Sequence, residues 1–320
     1  IGVGGVARPF FSGGELAYYG TATALSTARS RLAAATVGDY ALFGGGYPGS
    51  GASDVVDAYD TNLTRSLPTV FTSALSELAA TAIGGYALFA GGMFSTGRVA
   101  ASIFAYDTSL TKSLPSGLGT GRKELAAAAN GSYALFAGGT GTSDSAVVTA
   151  YNTDLTRSIP SSLSSARYYL AGTNIGNYIL FGGGRDINGG YYNVVDIYDT
   201  SLTRTTSTLG SYRGMLAATN IGNYAIFGGG YDNNGYLKSN VDTFDSALTR
   251  SNPSSLSVAR MSLSATTVGD YALFAGGDNS TSSSQDYDAT VDVYDTSLVK
   301  TIATPLSRGR YHMGATTVGN

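Results

Sequence analysis

The residue types that do covalent or metal chemistry are scarce in this chain: one histidine, His312, no cysteine and no tryptophan. Tyrosine is plentiful, with 23 residues, and it recurs beside carboxylates, arginines and amides. Ahead of a repeated Leu or Met, two positions change from copy to copy: Ser30-Arg31, Ser76-Glu77, Lys123-Glu124, Tyr168-Tyr169, Gly214-Met215, Met261-Ser262 and Tyr311-His312. A second variable set follows a constant glycine doublet. It includes Asp186, Asn188 and Tyr191 in "RDINGGYYN", and Tyr231 and Asp232 in "YDNNGY". Such a mixture binds rather than reacts. The C–H face of a sugar stacks on an aromatic ring while its hydroxyls bond to Asp and Asn, and aromatic anchors carry much of an interface's energy. The expected ligand set is Arg31, Glu77, Lys123, Glu124, Tyr168, Tyr169, Asp186, Asn188, Tyr191, Met215, Tyr231, Asp232, Met261, Tyr311 and His312. Side chains alternate along a strand, so one of Tyr168 and Tyr169 is expected to face the inside of the fold and the other the ligand.

What positions these residues is a repeat. Near copies of "GDYALFGGG" place tyrosines at 40, 86, 133, 178, 224 and 271, in steps of 45–47 residues, the period of an array of one supersecondary unit. Each unit runs from a small-residue stretch such as "LAAATVG" through Tyr-Ala-Leu-Phe and glycines, then a variable loop, then "VDAYDTNLTRS". These are four short runs of β-formers separated by turn residues, with no helix-length apolar stripe. Gly with Asp, Asn or Ser makes the first turn tight, and the Asp of "YDTSL" starts the last one by bonding the backbone two residues on. Strands that alternate in direction bring the variable pairs and the variable loops to one face, and the constant turns to the other. Recognition residues concentrate on such scaffolded loops, and Tyr, Ser, Gly and Asn are the residues of adaptable binding surfaces.

Radially repeated four-stranded units fit a β-propeller, which leaves only short protected edges. The glycine doublet, "VDVYD" and the "AR" ahead of each unit resemble kelch repeats across nearly the whole chain, although kelch units usually carry a Trp that this chain lacks. That resemblance implies an all-β, seven-bladed kelch-like propeller of four-stranded antiparallel blades, since 320 residues correspond to seven units. The predicted single domain has closing strands in 1–26, six full repeats in 27–309, and a closing inner strand in 310–320 that completes a mixed seventh blade and protects the edge. The other reading is a fragment whose remaining strands lie beyond Asn320, and the start at Ile1 without Met marks a processed or truncated chain.

Enzymatic propellers fail on residue types. A galactose-oxidase-like copper site requires two histidines and a cysteine-linked tyrosine, and a sialidase requires Asp boxes ending in Trp; neither set exists here. One histidine makes no credible Ser-His-Asp arrangement. The glycine runs precede no Gly-Lys-Ser/Thr and no helix, so they form no phosphate loop. The Asx-rich loops Arg185–Asn193, Tyr231–Tyr236 and Asp278–Asp288 lack the spacing of a Ca²⁺ loop, and Asx turns are the expectation. No metal and no cofactor are expected.

Two cationic series recur with the repeat. Arg29, Arg122, Arg167, Arg213, Arg260 and Arg310 precede the variable pairs, with Leu75 as the exception, and imply packing or an ion pair between blades. Arg65, Lys112, Arg157, Arg204, Arg250 and Lys300 follow the last turn and read as a solvated rim. Charged residues are 13% of the chain against roughly 25% in an average soluble protein, so Ser, Thr, Asn and Gly must supply solubility. A net charge of −3 gives no nucleic-acid footprint, and no apolar run approaches the roughly 18 residues of a membrane span.

"IGVGGVAR" at the N-terminus resembles a short glycine-containing motif of tail and baseplate proteins from phages and prophages of Gram-positive bacteria. The resemblance implies a propeller at a virion or other extracellular surface, with cell-surface glycan or protein and other tail proteins as partners. The expected function is therefore non-enzymatic recognition, and the alternative is a structural or assembly module.

Overall fold

A computed structural model describes residues 16–280 and 286–319 of the chain. Among them are 24 strands in six four-stranded antiparallel sheets, each ordered as the chain runs. Blade one holds β1–β4 (Ala33–Val37, Tyr40–Gly44, Val56–Asp60, Arg65–Ser66). Blade two holds β5–β8 (Ala79–Ile83, Tyr86–Ala90, Ile103–Asp107, Lys112–Ser113), and blade three β9–β12 (Ala126–Ala129, Tyr133–Ala137, Val148–Asn152, Arg157–Ser158). Blade four holds β13–β16 (Ala171–Ile175, Tyr178–Gly182, Val194–Tyr198, Arg204–Thr208). Blade five holds β17–β20 (Ala217–Ile221, Tyr224–Gly228, Val241–Asp245, Arg250–Ser251), and blade six β21–β24 (Ser264–Val268, Tyr271–Ala275, Val291–Asp295, Lys300–Ala303). The first strands of successive blades stand side by side around a central channel. No helix among the described residues is long and apolar enough to cross a membrane.

The local chemistry is the one the repeat implies. Val37 pairs with Tyr40 across a two-residue turn, and Gly38 takes φ +51° there. In the last turn the Asp60 carboxylate accepts from the N–H groups of Asn62 and Thr64 at 2.8 Å. Each blade carries its own aromatic pair: the second-strand Phe meets a third-strand Tyr or Phe edge-on, with centroids 5.8–6.3 Å apart. The tyrosine hydroxyls then bond outward. Tyr59, Tyr106, Tyr151, Tyr198 and Tyr294 donate at 2.5–2.9 Å to carbonyls of the connection that leads into their own blade. Burial raises those phenols.

Among the described residues the expected seventh blade is not there: the blades number six, as do the Tyr-Ala-Leu-Phe-like phrases. Dividing length by period counts residues, whereas a blade needs ladder partners. Residues 310–319 repeat a first-strand sequence, but among the described residues no second strand pairs with it, and the segment forms no strand. It lies between blades one and six, bonded by hydroxyls: Thr36 to Thr316 at 2.7 Å, Ser264 to the Met313 carbonyl at 2.5 Å and Thr266 to Thr317 at 2.9 Å. Residues 16–25, assigned to a closing strand, form none either. They pass as a connection whose Thr23 and Ala24 carbonyls accept from Tyr59 and Arg65. The rest of the expected closing segment, residues 1–15, lies outside the described residues.

The arginine series also differs from expectation, because its ion pairs form within blades. Arg29, Arg167, Arg213 and Arg260 each reach a third-strand aspartate of their own blade, Asp57, Asp196, Asp242 and Asp292, at 2.7–2.8 Å with both side chains fully buried. What links blades is the backbone of the same residues. The carbonyls of Arg122, Arg167, Arg213, Arg260 and Arg310 accept from the second glycine of the preceding doublet at 2.9 Å. Nor is the second series a plain solvated rim. Arg65, Arg204, Arg250 and Lys300 lie 2.9–3.7 Å from the same aspartates. Blade two lacks both partners: Leu75 stands for the arginine and Phe104 for the aspartate, with Phe71 stacked on Phe104 at 4.4 Å.

Candidate functional site

The variable pairs divide their work. Six of the seven first members bridge to the residue just after their blade's glycine doublet: Ser30 to Tyr47, Ser76 to Met93, Lys123 to Thr140, Tyr168 to Arg185, Gly214 to Tyr231 and Met261 to Asp278. Each second member is left-handed. Arg31, Glu77, Glu124, Tyr169, Met215, Ser262 and His312 have φ between 49° and 59°, a conformation that costs a non-glycine residue about 1–2 kcal/mol.

The return for this strain is a closed hydrogen-bonded annulus. Glu77 N–H donates to the Arg31 carbonyl, Glu124 to Glu77, Tyr169 to Glu124, Met215 to Tyr169, Ser262 to Met215, His312 to Ser262, and Arg31 back to His312, all at 2.8–3.1 Å. The annulus has seven members over six blades because the C-terminal segment contributes His312. The seven side chains line a cavity of about 210 Å³ at the channel mouth.

Half of this mouth is charged. Glu77 accepts from Arg31 at 2.5 Å and from Lys123 at 2.7 Å, and Lys123 also lies 3.5 Å from Glu124. The Tyr169 hydroxyl donates to Glu124 at 2.7 Å. Burial raises both the Glu124 carboxyl and the Tyr169 phenol. Met215, Ser262 and His312 make the other half neutral, since burial, and then the nearby Arg31, push His312 down to about 4.

That shift has a testable consequence. The unfolded chain's imidazole titrates near 6.5, so between about 6.5 and 4 the unfolded state binds the extra proton. The His312 contribution is fully present above that window and is lost as pH falls through it. Arg31, Glu77 and Asp278 are the charges acting on the ring. Chemical denaturation at pH 7 and pH 4 should show the parent losing about 2–3 kcal/mol more than His312→Asn. Equal losses would mean that the ring is not held neutral.

Beside the mouth lies an aromatic cluster. Tyr168 is 5.0 Å from Tyr169 between centroids, and the Arg185 guanidinium sits over Tyr168 at 5.6 Å and over Tyr191 at 5.4 Å, with Tyr191 6.1 Å from Tyr231. Tyr169 is thus the inward member of its pair and Tyr168 the member that faces the loops. On the far side Tyr311 stacks on Tyr287 at 4.5 Å and meets His312 at 4.8 Å.

The sequence-based set is therefore brought together in large part, but not wholly. Asp186 is spent on its own loop, accepting from Gly190 N–H at 2.8 Å and from the Tyr192 hydroxyl at 3.0 Å. Asp232 does likewise with Asn234, Tyr236 and Lys238. Asn188 stands exposed at the loop tip, and Met261 is half-buried beside Asp278. Among the described residues no cluster of three or more His, Asp or Glu is arranged to hold a metal. Residues 281–285 of the third Asx-rich loop lie outside the described residues. Arg185 and Tyr287 were not among the expected residues. Arg185 had a signal, since it occupies the position after the glycine doublet that pairs with the variable residue in every blade.

No protein-family model and no curated protein matches the chain. Among solved structures it is similar to the propeller protein described in "Structure of YjhT", with a TM-score of 0.68 over 88% of this chain and 98% of that one. At 12% identity this likeness bears on the fold alone. The kelch and phage-tail resemblances gain nothing further from these comparisons.

Proposed function

We propose that this propeller is a non-catalytic recognition module that binds a hydroxyl-rich group of a cell-surface glycan at the mouth of its channel. One observation carries the reading: seven unlike side chains, all held in a strained backbone state, converge on one cavity through a closed annulus. Strain of this kind persists where surrounding structure over-determines it, and such positions cluster at functional sites. The chemistry fits a sugar. Glu77, Glu124, Lys123 and Arg31 offer charge-assisted hydrogen bonds, while Tyr168, Tyr191 and Tyr231 offer ring faces beside them.

The kelch-like motifs support the same reading, and the N-terminal motif supports a setting on a phage or prophage particle, at an extracellular surface. A glycan array, followed by adsorption to Gram-positive cells, tests both parts. The parent should bind a defined glycan, and Tyr168→Ala and Arg185→Ala should each weaken binding by about 1–2 kcal/mol. Asp39→Ala, in an exposed turn on the opposite face, should bind as the parent does. Absence of binding, with the mouth covered in an oligomer, would replace this reading with an assembly module. Turnover of a surface polysaccharide would replace it with an enzyme.

A further inference from the structure

Blade three departs from its neighbours at one buried point. In blades one, four, five and six a buried aspartate lies between two cations, one ahead of the first strand and one in the fourth. It also accepts at 2.8–2.9 Å from a backbone N–H of the incoming connection, that of Ser26, Ser164, Gly210 or Ser257. Blade two has removed charge from this place by carrying Leu75 and Phe104. Blade three has removed only the acid. It keeps Arg122, 1% exposed, keeps Arg157 in the fourth strand, and has Gly119 where the N–H donor stands, but its third strand carries Thr149.

The two guanidiniums are left without a counter-charge. Arg122 Nη2 reaches the Thr149 hydroxyl at 3.0 Å and the Phe136 carbonyl at 3.2 Å, while its Nε and Nη1 are buried with no partner, as is Arg157 Nε. Arg213 and Arg260 also leave Nε unpaired, yet each has its carboxylate. Only the blade-three arginine lacks both. Burial, with Arg157 adding to it, holds Arg122 down to about 10, so it stays charged at neutral pH. An isolated buried charge is costly unless paired.

We propose that a small monovalent anion of chloride size binds between Arg122 and Arg157, in place of the carboxylate of the sister blades. Two guanidiniums supply its donors, the unpaired Nε and Nη1 of Arg122 and the unpaired Nε of Arg157. Arg122 directly precedes Lys123 and Glu124, so the ion also anchors the backbone that presents the charged half of the mouth.

Bromide is the probe. Crystals of the parent soaked in bromide should give an anomalous peak between Arg122 and Arg157. Crystals of Thr149→Asp, which restores the internal carboxylate, should give none. In solution, replacing gluconate by chloride at constant ionic strength should raise the parent's Tm by about 1–3 °C, whereas Thr149→Asp should melt higher than the parent and respond to neither salt. No anomalous peak in the parent, a water in that place, or equal chloride responses of parent and variant would overturn the proposal.

Discussion

Asp292→Ala should destabilise the protein by about 3–5 kcal/mol, because it leaves the fully buried Arg260 without its carboxylate. The same change combined with a copy of blade two should recover nearly all of the loss. Blade two shows the apolar solution to the same space, with Phe71, Leu75 and Phe104, and Lys112 in its fourth strand. Blade six is the matching recipient. It has Leu256, Arg260 and Asp292 at those places, Lys300 in its fourth strand, and Gly228 ahead of it as blade two has Gly44. The triple variant Leu256→Phe, Arg260→Leu, Asp292→Phe should therefore unfold within about 1 kcal/mol of the parent, since well-packed apolar replacements of buried ion pairs are often neutral or stabilising. Urea denaturation followed by circular dichroism reads both. A triple variant as unstable as Asp292→Ala would show that the blades need the charge itself, and that blade two is stabilised by something else.

The propeller was legible because its signals are local and repeated. Two-residue turns, alternating apolar runs and the Asp of the last turn each act within a few residues, and the period multiplies them six times. The ring's end was not legible, because "RYHMGATTVGN" has the pattern of a first strand and pattern cannot supply a ladder partner. The arginine series announced itself, but its partner lies about 30 residues away in the third strand. The clue was the exception: the one unit without arginine, at Leu75, is also a unit without the strand-three aspartate, having Phe104.

The site was half legible for a related reason. Unlike residues in matching positions marked Arg31, Glu77, Glu124, Tyr169, Met215 and His312 as a set, yet nothing in those types signals a left-handed backbone, which short-range propensity assigns to glycine or asparagine. The annulus is a tertiary product, imposed on each residue by the neighbouring blades. Asp186 and Asp232 misled in the opposite direction. Their composition suits a ligand, but an Asp in a tight loop bonds first to the N–H groups nearest to it.

If the neighbouring blades impose the annulus, then the constant glycines should matter more to it than the variable side chains do. Gly183 is the sharpest place to ask. Its φ is +69°, and a Cβ there would lie 2.5 Å from the Arg213 carbonyl oxygen and 3.0 Å from the Leu216 side chain. That oxygen already accepts from Gly184 N–H at 2.9 Å, and two residues on Met215 N–H donates to Tyr169 in the annulus. Gly183→Val therefore adds left-handed strain of about 1–2 kcal/mol to a clash with backbone that cannot rotate aside, for a total of about 3 kcal/mol or more. Gly189 is the matched comparison: it is left-handed too, at +91°, but nothing lies within 4 Å of its Cβ position. Gly189→Val should carry the strain and little else. Thermal denaturation of the two variants separates backbone conformation from close approach, and the glycan-binding assay adds the functional half. Gly183→Val, even where it folds, should bind worse than Tyr168→Ala, because moving the Arg213 carbonyl displaces Met215 and opens the ring at the bond to Tyr169. Equal stability losses at 183 and 189 would mean that the blades tolerate a wider gap than the glycine doublet leaves. The constant phrase would then owe its glycines to φ alone.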